Sequence, residues 1–186
     1  MQNSKTKIMV EGAIMIALAT VLSYIKVFEA PMGGSVTAFS QVPIVIYGYR
    51  HGFKWGAFVG VVHGILQMLL QGLGNFAYVK GVMAYFILIF LDYVIAFAVL
   101  GIGGSLFRNL KQPTIGIAFG AFVASLLRFA CHFTSGVTIW GEYADGWKSV
   151  WIYSLGYNGF YMLFECIITI VGAMAYSLVL KNKIKN

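Results

Sequence analysis

Five side chains stand out because of where they occur: Asp92, Arg128, His132, Asn158 and Glu165 all lie inside long apolar runs. A polar or charged group at membrane depth is expensive, so each is a functional candidate. Counting about 1.5 Å per residue from the helix ends assigned below to the outer face, His132 lies about 3 Å in, Arg128 about 9 Å, Asn158 about 12 Å, Asp92 about 16 Å and Glu165 about 22 Å. They come from three helices yet occupy overlapping levels. Arg128 and His132 are four apart and share a face, as do Asn158, Tyr161 and Glu165 at i, i+3, i+7. A polar, aromatic-rimmed cavity opening outward satisfies them all at once. The alternative is that they serve one another as structural glue, through an Arg128–Glu165 or Arg128–Asp92 pair. Glu165 is deep enough to favour the structural role.

The surrounding residues define what such a cavity binds. Trp140, Trp147 and Trp151 cluster in or near the loop 134–148, with the acids Glu142 and Asp145. Rings beside a carboxylate suit a flat or cationic solute, through stacking and cation–π attraction. Asn158, His132 and the tyrosines add directional donors and acceptors for a nitrogen heterocycle. Asp92 neutralises one positive charge. A diphosphate calls for an arginine cluster, and only Arg128 and Lys148 are at hand. The expected ligand is therefore a small, flat, neutral-to-cationic heterocycle. No catalytic set is present: Gly101-Ile102-Gly103-Gly104-Ser105 lacks the lysine and spacing of a phosphate loop, and there is neither a zinc motif nor a nucleophile elbow. The expected role is not that of an enzyme, and active uptake needs energy from elsewhere.

The elements that position these residues follow from composition. Of 186 residues 60% are apolar and 10% charged, with a mean hydropathy of +0.82. Globular domains average roughly 45–50% and about 25%. Soluble enzymes, disordered regulators and disulfide scaffolds are excluded. One all-α membrane domain spanning 1–186 is expected, with six apolar segments at 7–28, 41–50, 53–73, 81–106, 113–133 and 150–180. The second is too short to span alone and reads as tilted, broken or packed inside the bundle. The first reads as a retained helix rather than a signal peptide. Breaks are expected at Pro31-Met32-Gly33-Gly34, His51-Gly52, Gly72-Leu73-Gly74-Asn75 and Lys111-Gln112-Pro113.

The net charge of +7 raises nucleic acid as a partner, but the basic residues are scattered in pairs at segment ends, as topology signals are. With six crossings, Lys5, Lys7, Arg50, Lys54, Arg108, Lys111, Lys181, Lys183 and Lys185 fall on one side. Both termini are therefore expected in the cytoplasm, with the lipid bilayer and no nucleic acid as partner. Cys131 and Cys166 lack metal or redox spacing and read as small hydrophobes. Glu11 reads as solvated near the cytoplasmic interface, and His63, Gln67 and Gln71 as a stripe of packing glue. On the first helix Ala13-x-x-x-Ala17 permits close approach by another helix, inside the bundle or outside it.

The stretch Arg128-Phe-Ala-Cys-His-Phe-Thr-Ser-Gly-Val-Thr-Ile-Trp-Gly-Glu-Tyr143, with Tyr153-Ser-Leu-Gly-Tyr-Asn-Gly-Phe-Tyr161 and Glu165, resembles the thiamin-binding S components of energy-coupling factor (ECF) vitamin transporters, the ThiT/YuaJ family. Leu91-Asp92-Tyr93, Ala96-Phe97, Gly33-Gly34-Ser35 and Tyr49-Arg50-His51-Gly52 extend the likeness over nearly the whole chain. The spacing His132…Trp140…Tyr153…Asn158 is its most specific part.

The resemblance implies a six-helix S-component (RibU/ThiT-like) fold in a bacterial plasma membrane, with thiamin as ligand and no cofactor. It also implies a transmembrane coupling subunit (EcfT) and two ATPases (EcfA and EcfA') as partners that use ATP, with toppling of the S component carrying the vitamin inward. Carried over, Trp140 is the stacking platform, and His132, Tyr153 and Asn158 meet the pyrimidine end. Asp92, where some members carry glutamate, is the acidic contact, followed by Tyr93. Phe39 is the candidate lid aromatic of the first outer loop, Tyr78 and Tyr85 the candidate rim, and Ala13 and Ala17 the docking face for the coupling subunit. Two other readings stay open: an S component for another flat heterocycle, such as a pyrimidine precursor or riboflavin, and a structural membrane protein without a ligand.

Overall fold

The computed structural model describes residues 2–31 and 33–185; Met32 of the expected turn and the side chains of Lys181, Lys183 and Lys185 lie outside the described residues. Helix α1 (Gln2–Ser23) leads into a hairpin of β1 (Lys26–Glu29) and β2 (Ser35–Thr37). Helix α2 (Val42–His51) is followed by α3 (Phe53–Gln67), which a π turn (Met68–Gly72) and a 3₁₀ stretch (Leu73–Tyr78) prolong. Helix α4 (Val82–Ile87) runs through a π segment (Leu88–Ile95) into α5 (Ala96–Leu106). Helix α6 (Pro113–Thr138), a 3₁₀ turn (Gly141–Tyr143) and α7 (Val150–Lys185) complete the chain. Among the described residues, five helical runs are long and apolar enough to cross a membrane. Their lipid-facing sides carry rows of exposed Leu, Ile, Val and Phe.

The short second segment lies in the interior. Every residue from Val42 to Gly48 is buried, and Ile44, Val45 and Tyr47 are fully so. At ten residues α2 is only about 15 Å long, half of a ~30 Å hydrocarbon core. Strand β2 and a tight bend through residues 38–41 lead into α2, irregular backbone that is tolerated at depth where protein encloses it. Helix α2 ends at Gly52, whose φ of +86° suits a residue without Cβ and whose N–H bonds the Gly48 carbonyl at 2.8 Å. Three elements then meet backbone to backbone. A Cβ on Gly48 or Gly56 would run into the Gly101 carbonyl, and one on Gly101 into that of Gly56, so α2, α3 and α5 pack at glycine contact.

The structure departs from the all-α expectation at two places. The first helix stops at Ser23, not Phe28, and Lys26, Phe28 and Glu29 pair with Thr37, Val36 and Ser35 around an irregularity at Val27. Tyr24, Ile25, Val27 and Phe28 are exposed hydrophobics at the bundle surface, which hydropathy alone cannot tell from a helix. The expected break at Gly72–Asn75 is a continuous, distorted helix. Gly72 is small because the Tyr93 hydroxyl presses on it, not because the chain turns there.

Polar links tie α1 to its neighbours. Glu11, expected to be merely solvated, is ion-paired to Arg50 at 2.7 Å and His51 at 3.1 Å at the end of α2. The expected glue stripe bonds α1: Thr20 lies 3.3 Å from His63, and Gln67 and Gln71 donate to Ser23 at 2.7 and 2.6 Å. Ala13 and Ala17 take no part in this packing. Both are exposed on the outward face of α1, beside Met9, Val10, Ile14 and Leu18, while Gly12 faces Tyr47 and Val59.

Candidate ligand-binding site

A cavity of about 640 Å³ opens at the hairpin end of the bundle. Its walls are the distorted end of α3, the π segment, α6, the Trp140 turn, the first half of α7 and the hairpin tip. Asp92, Tyr93, His132, Trp140, Tyr153 and Asn158 all line it, together with Tyr78 and Arg128. Polar side chains that the chain carries on separate helices thus share one enclosure of ligand size.

Asp92 is the hub. It sits in the π segment, where the wider turn brings two successive side chains, Asp92 and Tyr93, to the interior; such distortions recur at functional sites. Its Oδ1 lies 2.9 Å from His132 Nδ1, and its Oδ2 accepts from Ser135 Oγ at 2.7 Å and Trp140 Nε1 at 3.1 Å. An ionised carboxylate offers about four lone-pair sites, so one remains open. With Nδ1–H donated to Asp92, His132 Nε2 is an acceptor, buried and without a partner among the described residues. Asn158 donates to the His132 carbonyl at 3.2 Å and to Ser154 Oγ at 3.1 Å, and accepts from the Tyr161 hydroxyl at 2.8 Å. The Tyr93 hydroxyl accepts from Asn75 at 2.9 Å and donates to the Gly72 carbonyl at 3.4 Å.

Rings fill the remaining wall. Tyr153, Tyr157 and Tyr161, spaced by four on α7, stand 5.7 and 6.0 Å apart centroid to centroid, and Tyr161 meets His132 at 6.3 Å. Trp140 lies 6.5 Å from Tyr78 and 6.0 Å from Tyr143. The charged lining residues balance, Lys26 and Arg128 against Glu29 and Asp92. Net charge therefore gives no preference for a cation here; the groups that can attract one are the open Asp92 lone pair and the ring faces.

Arg128 makes neither of the ion pairs considered for it. Its guanidinium lies 4.5 Å over the Phe97 ring, its Nε is buried without a partner, and among the described residues no carboxylate is within salt-bridge distance. Asp92 is committed to His132, Ser135 and Trp140, and Glu165 points away from the cavity to Thr37 and Gln41. Two candidate residues lie elsewhere. Phe39 has its ring against Gly172, far down α7, and Tyr85 stacks on Phe76 at 5.7 Å outside the cavity wall. Phe39 takes a φ of +65° to turn the chain into α2, and that turn aims it away from the hairpin tip.

Several lining residues escaped sequence reasoning. Gln67 and Gln71 bond α1 and also face the cavity, Asn75 belongs to a distorted helix rather than a loop, and Tyr157 completes the α7 ring series. The period-of-four pattern 153, 157, 161 was the available signal for the last. Ser135, one turn past His132, was the available signal for the third Asp92 partner. Among the described residues no group of three or more His, Cys, Asp or Glu side chains is placed to hold a metal ion.

Known proteins resemble this chain along its length. The family model described as Thiamine transporter protein (Thia_YuaJ) matches residues 9–185. The thiamine transporter ThiT of Bacillus subtilis is 33% identical over 171 residues, covering 86% of this chain and 84% of that one. ThiT of Lacticaseibacillus paracasei is 32% identical over 183 residues, covering 91% and 86%. A solved structure of ThiT from Listeria monocytogenes superposes with a TM-score of 0.74 over 98% of this chain and 97% of that chain. At 24% identity that likeness speaks for the fold.

Proposed function

This chain belongs to the thiamine transporter family Thia_YuaJ and is a multi-pass membrane protein, and from that premise we propose that it captures thiamin as the S component of an ECF transporter. In this reading the chain crosses a bacterial plasma membrane six times, counting β2, the bend and α2 as one crossing. Both termini are cytoplasmic and the cavity opens outward. The ATPases and the coupling subunit of the ECF module supply the energy for release inward, and the exposed Ala13/Ala17 face of α1 meets the coupling subunit. Hydrolysis has no seat in this chain's own residues.

The observation that carries the reading is the Asp92 hub in its ring-walled cavity. Thiamin joins an aminopyrimidine to a cationic thiazolium. The unpartnered His132 Nε2 is an acceptor suited to an exocyclic amine, and the indole of Trp140, fixed by its bond to Asp92, is a stacking surface. The positive ring is drawn to the open Asp92 lone pair and the tyrosine faces. Fluorescence or calorimetric titration of the purified chain with thiamin tests this. Saturable binding is expected, and Trp140→Ala should weaken it by about 2 kcal/mol or more, roughly 30-fold. Saturation by riboflavin or a free pyrimidine in place of thiamin reassigns the ligand; no binding of any of the three overturns the reading.

A further inference from the structure

Glu165 is a buried carboxylate that the cavity does not use. It is 1% exposed, absent from the cavity lining, and stands on α7 one turn below Tyr161. Among the described residues its hydrogen bonds all come from one short stretch of chain, from the last residue of β2 to Gln41. Its Oε1 accepts the Thr37 backbone N–H and the Thr37 hydroxyl, the latter at 2.7 Å, and its Oε2 accepts from Gln41 Nε2 at 2.5 Å. With its single proton given to Glu165, the Thr37 hydroxyl receives one from Ser40, 2.5 Å away. Thr37, Ser40 and Gln41 are all buried.

The neighbouring contacts run in register along the same face of α7. Gly34 lies against the Tyr161 ring, Val36 packs with Tyr161 and Met162, Thr37 meets Glu165, and Phe39 and Val42 meet Gly172. The chain from Gly34 to Val42 is thus laid down α7, and Glu165 is the point where the join is polar. There is a physical need for it. The buried Thr37 N–H turns to Glu165, and inside a membrane protein such a group must find its partner within the protein. Three hydrogen bonds converge on the one carboxyl group.

The other end of the hairpin is held far more lightly. All four residues of β1 are exposed. Beyond the ladder, β1 has the Phe28–Phe160 ring contact at 5.5 Å, and Lys26 pairs with Glu29 of its own strand. Yet this lightly held part supplies cavity wall, at Lys26, Glu29, Pro31 and Gly33. We propose that Glu165 is a positioning residue for ligand capture. It clamps the root of the hairpin at Thr37 and Gln41, so that the cavity wall keeps its place over the ligand and opens only beyond that root. The proposal rests on the capture reading above, and Glu165 acts through the hairpin, touching no ligand.

The chemistry of the clamp makes a charge-free test possible. Gln41 Oε1 is buried and has no partner among the described residues. In E165Q the Gln41 amide can turn over, offer Oε1 to the new carboxamide and keep the clamp; E165A cannot. Two quantities are read on the full chain: thiamin association and dissociation by stopped-flow fluorescence, and backbone hydrogen exchange at residues 35–41 without ligand. For E165A, dissociation about tenfold faster with association nearly unchanged is expected, and exchange at 35–41 faster by a similar factor while α6 stays protected. T37V, which keeps the N–H and removes the hydroxyl, moves both in the same direction by less, and it carries the test if E165A does not fold. E165Q stays near the native values. Native dissociation and native exchange in E165A, or in T37V if E165A does not fold, overturn the proposal. So does an E165Q whose association falls well below native, because that marks a charge acting on the ligand directly. Exchange needs no ligand, so failure of thiamin to bind sinks the capture reading while leaving the clamp to be judged on exchange.

Discussion

At the end of the bundle where α2 lies, backbones touch at Gly48, Gly56 and Gly101, and Ile44, Val45 and Tyr47 are wholly buried. At the other end the same helical runs lose their regular winding. Helix α3 passes through a π turn and a 3₁₀ stretch, the run from α4 to α5 passes through a π segment, and a cavity of about 640 Å³ stands between them. Lipid supplies no hydrophobic drive for helix association, so close approach over small residues must hold the bundle together. A large void forfeits such contacts. The contrast teaches that the glycine-packed end supplies the rigidity that lets the other end stay open, and that side chains there are placed by hydrogen bonds instead of by packing. If this is right, damage at the dense end destroys the fold, whereas damage at the open end spares the fold and costs the ligand.

The largest effect is expected for Gly101→Val. Its branched side chain would strike the Gly56 carbonyl, a backbone atom that cannot swing aside. Overpacking in a well-packed core typically costs about 1–3 kcal/mol, occasionally more, and a backbone collision in a three-helix contact belongs at the top of that range. Thermal unfolding in detergent, followed by size-exclusion chromatography, should show a steep loss of the folded species. A variant melting within a degree or two of the parent would break the comparison at its root.

Next in size is Asp92→Asn, aimed at the open end. The amide oxygen can still accept from Ser135 and Trp140, and His132 can change tautomer to accept from the new amide nitrogen. The side chains should therefore keep their places with the charge removed, while His132 Nε2 turns from acceptor to donor, a loss that charged and neutral ligands share. Thiamin affinity should fall by about 1–3 kcal/mol, roughly 10–100-fold, with little change in melting temperature. A neutral analogue lacking the thiazolium charge should lose much less. Equal losses for the charged and neutral ligands would show that Asp92 serves only to hold His132 and Trp140.

The dense end and the open end were unequally legible in sequence. Long apolar runs announced the spanning helices, and polar side chains inside them singled out Asp92, His132 and Asn158 as candidates, because both signals depend on residue type alone. Strand β1 was hidden, since the exposed apolar residues Tyr24, Ile25, Val27 and Phe28 at the bundle surface and the last turn of a spanning helix have similar hydropathy. Gly72 looked like a break because glycine opens turns and also lets a tyrosine hydroxyl approach; only coordinates separate the two uses. Phe39 was misplaced for a related reason. Its position follows from a positive φ and from α7 residues more than a hundred positions away, neither of which local spacing encodes. For Arg128 the sequence left a carboxylate pair and a place in the cavity both open; the two carboxylates are instead engaged by His132, Ser135, Trp140, Thr37 and Gln41, partners that no charge count brings to notice.

The smallest effect is expected at the rim of the dense end, in Glu11→Gln. Glu11 joins α1 to the last turn of α2 through Arg50 and His51, where cations also suit the helix dipole. The Arg50 side chain is 42% exposed, however, and it also donates to the Tyr176 hydroxyl at 3.2 Å, so it keeps a partner when the carboxylate is gone. Ion pairs with that much access to water contribute about 0–1 kcal/mol and are screened by salt. The glycine contacts and the buried Tyr47, whose hydroxyl donates to the Ile8 carbonyl at 3.0 Å, continue to hold α1 against α2. Melting temperature should therefore drop by a few degrees at most, the drop should shrink further in high salt, and thiamin affinity should not move. A large, salt-insensitive loss of stability would mean that the dense end depends on charge as much as on glycine, and the division of labour between the two ends would have to be redrawn.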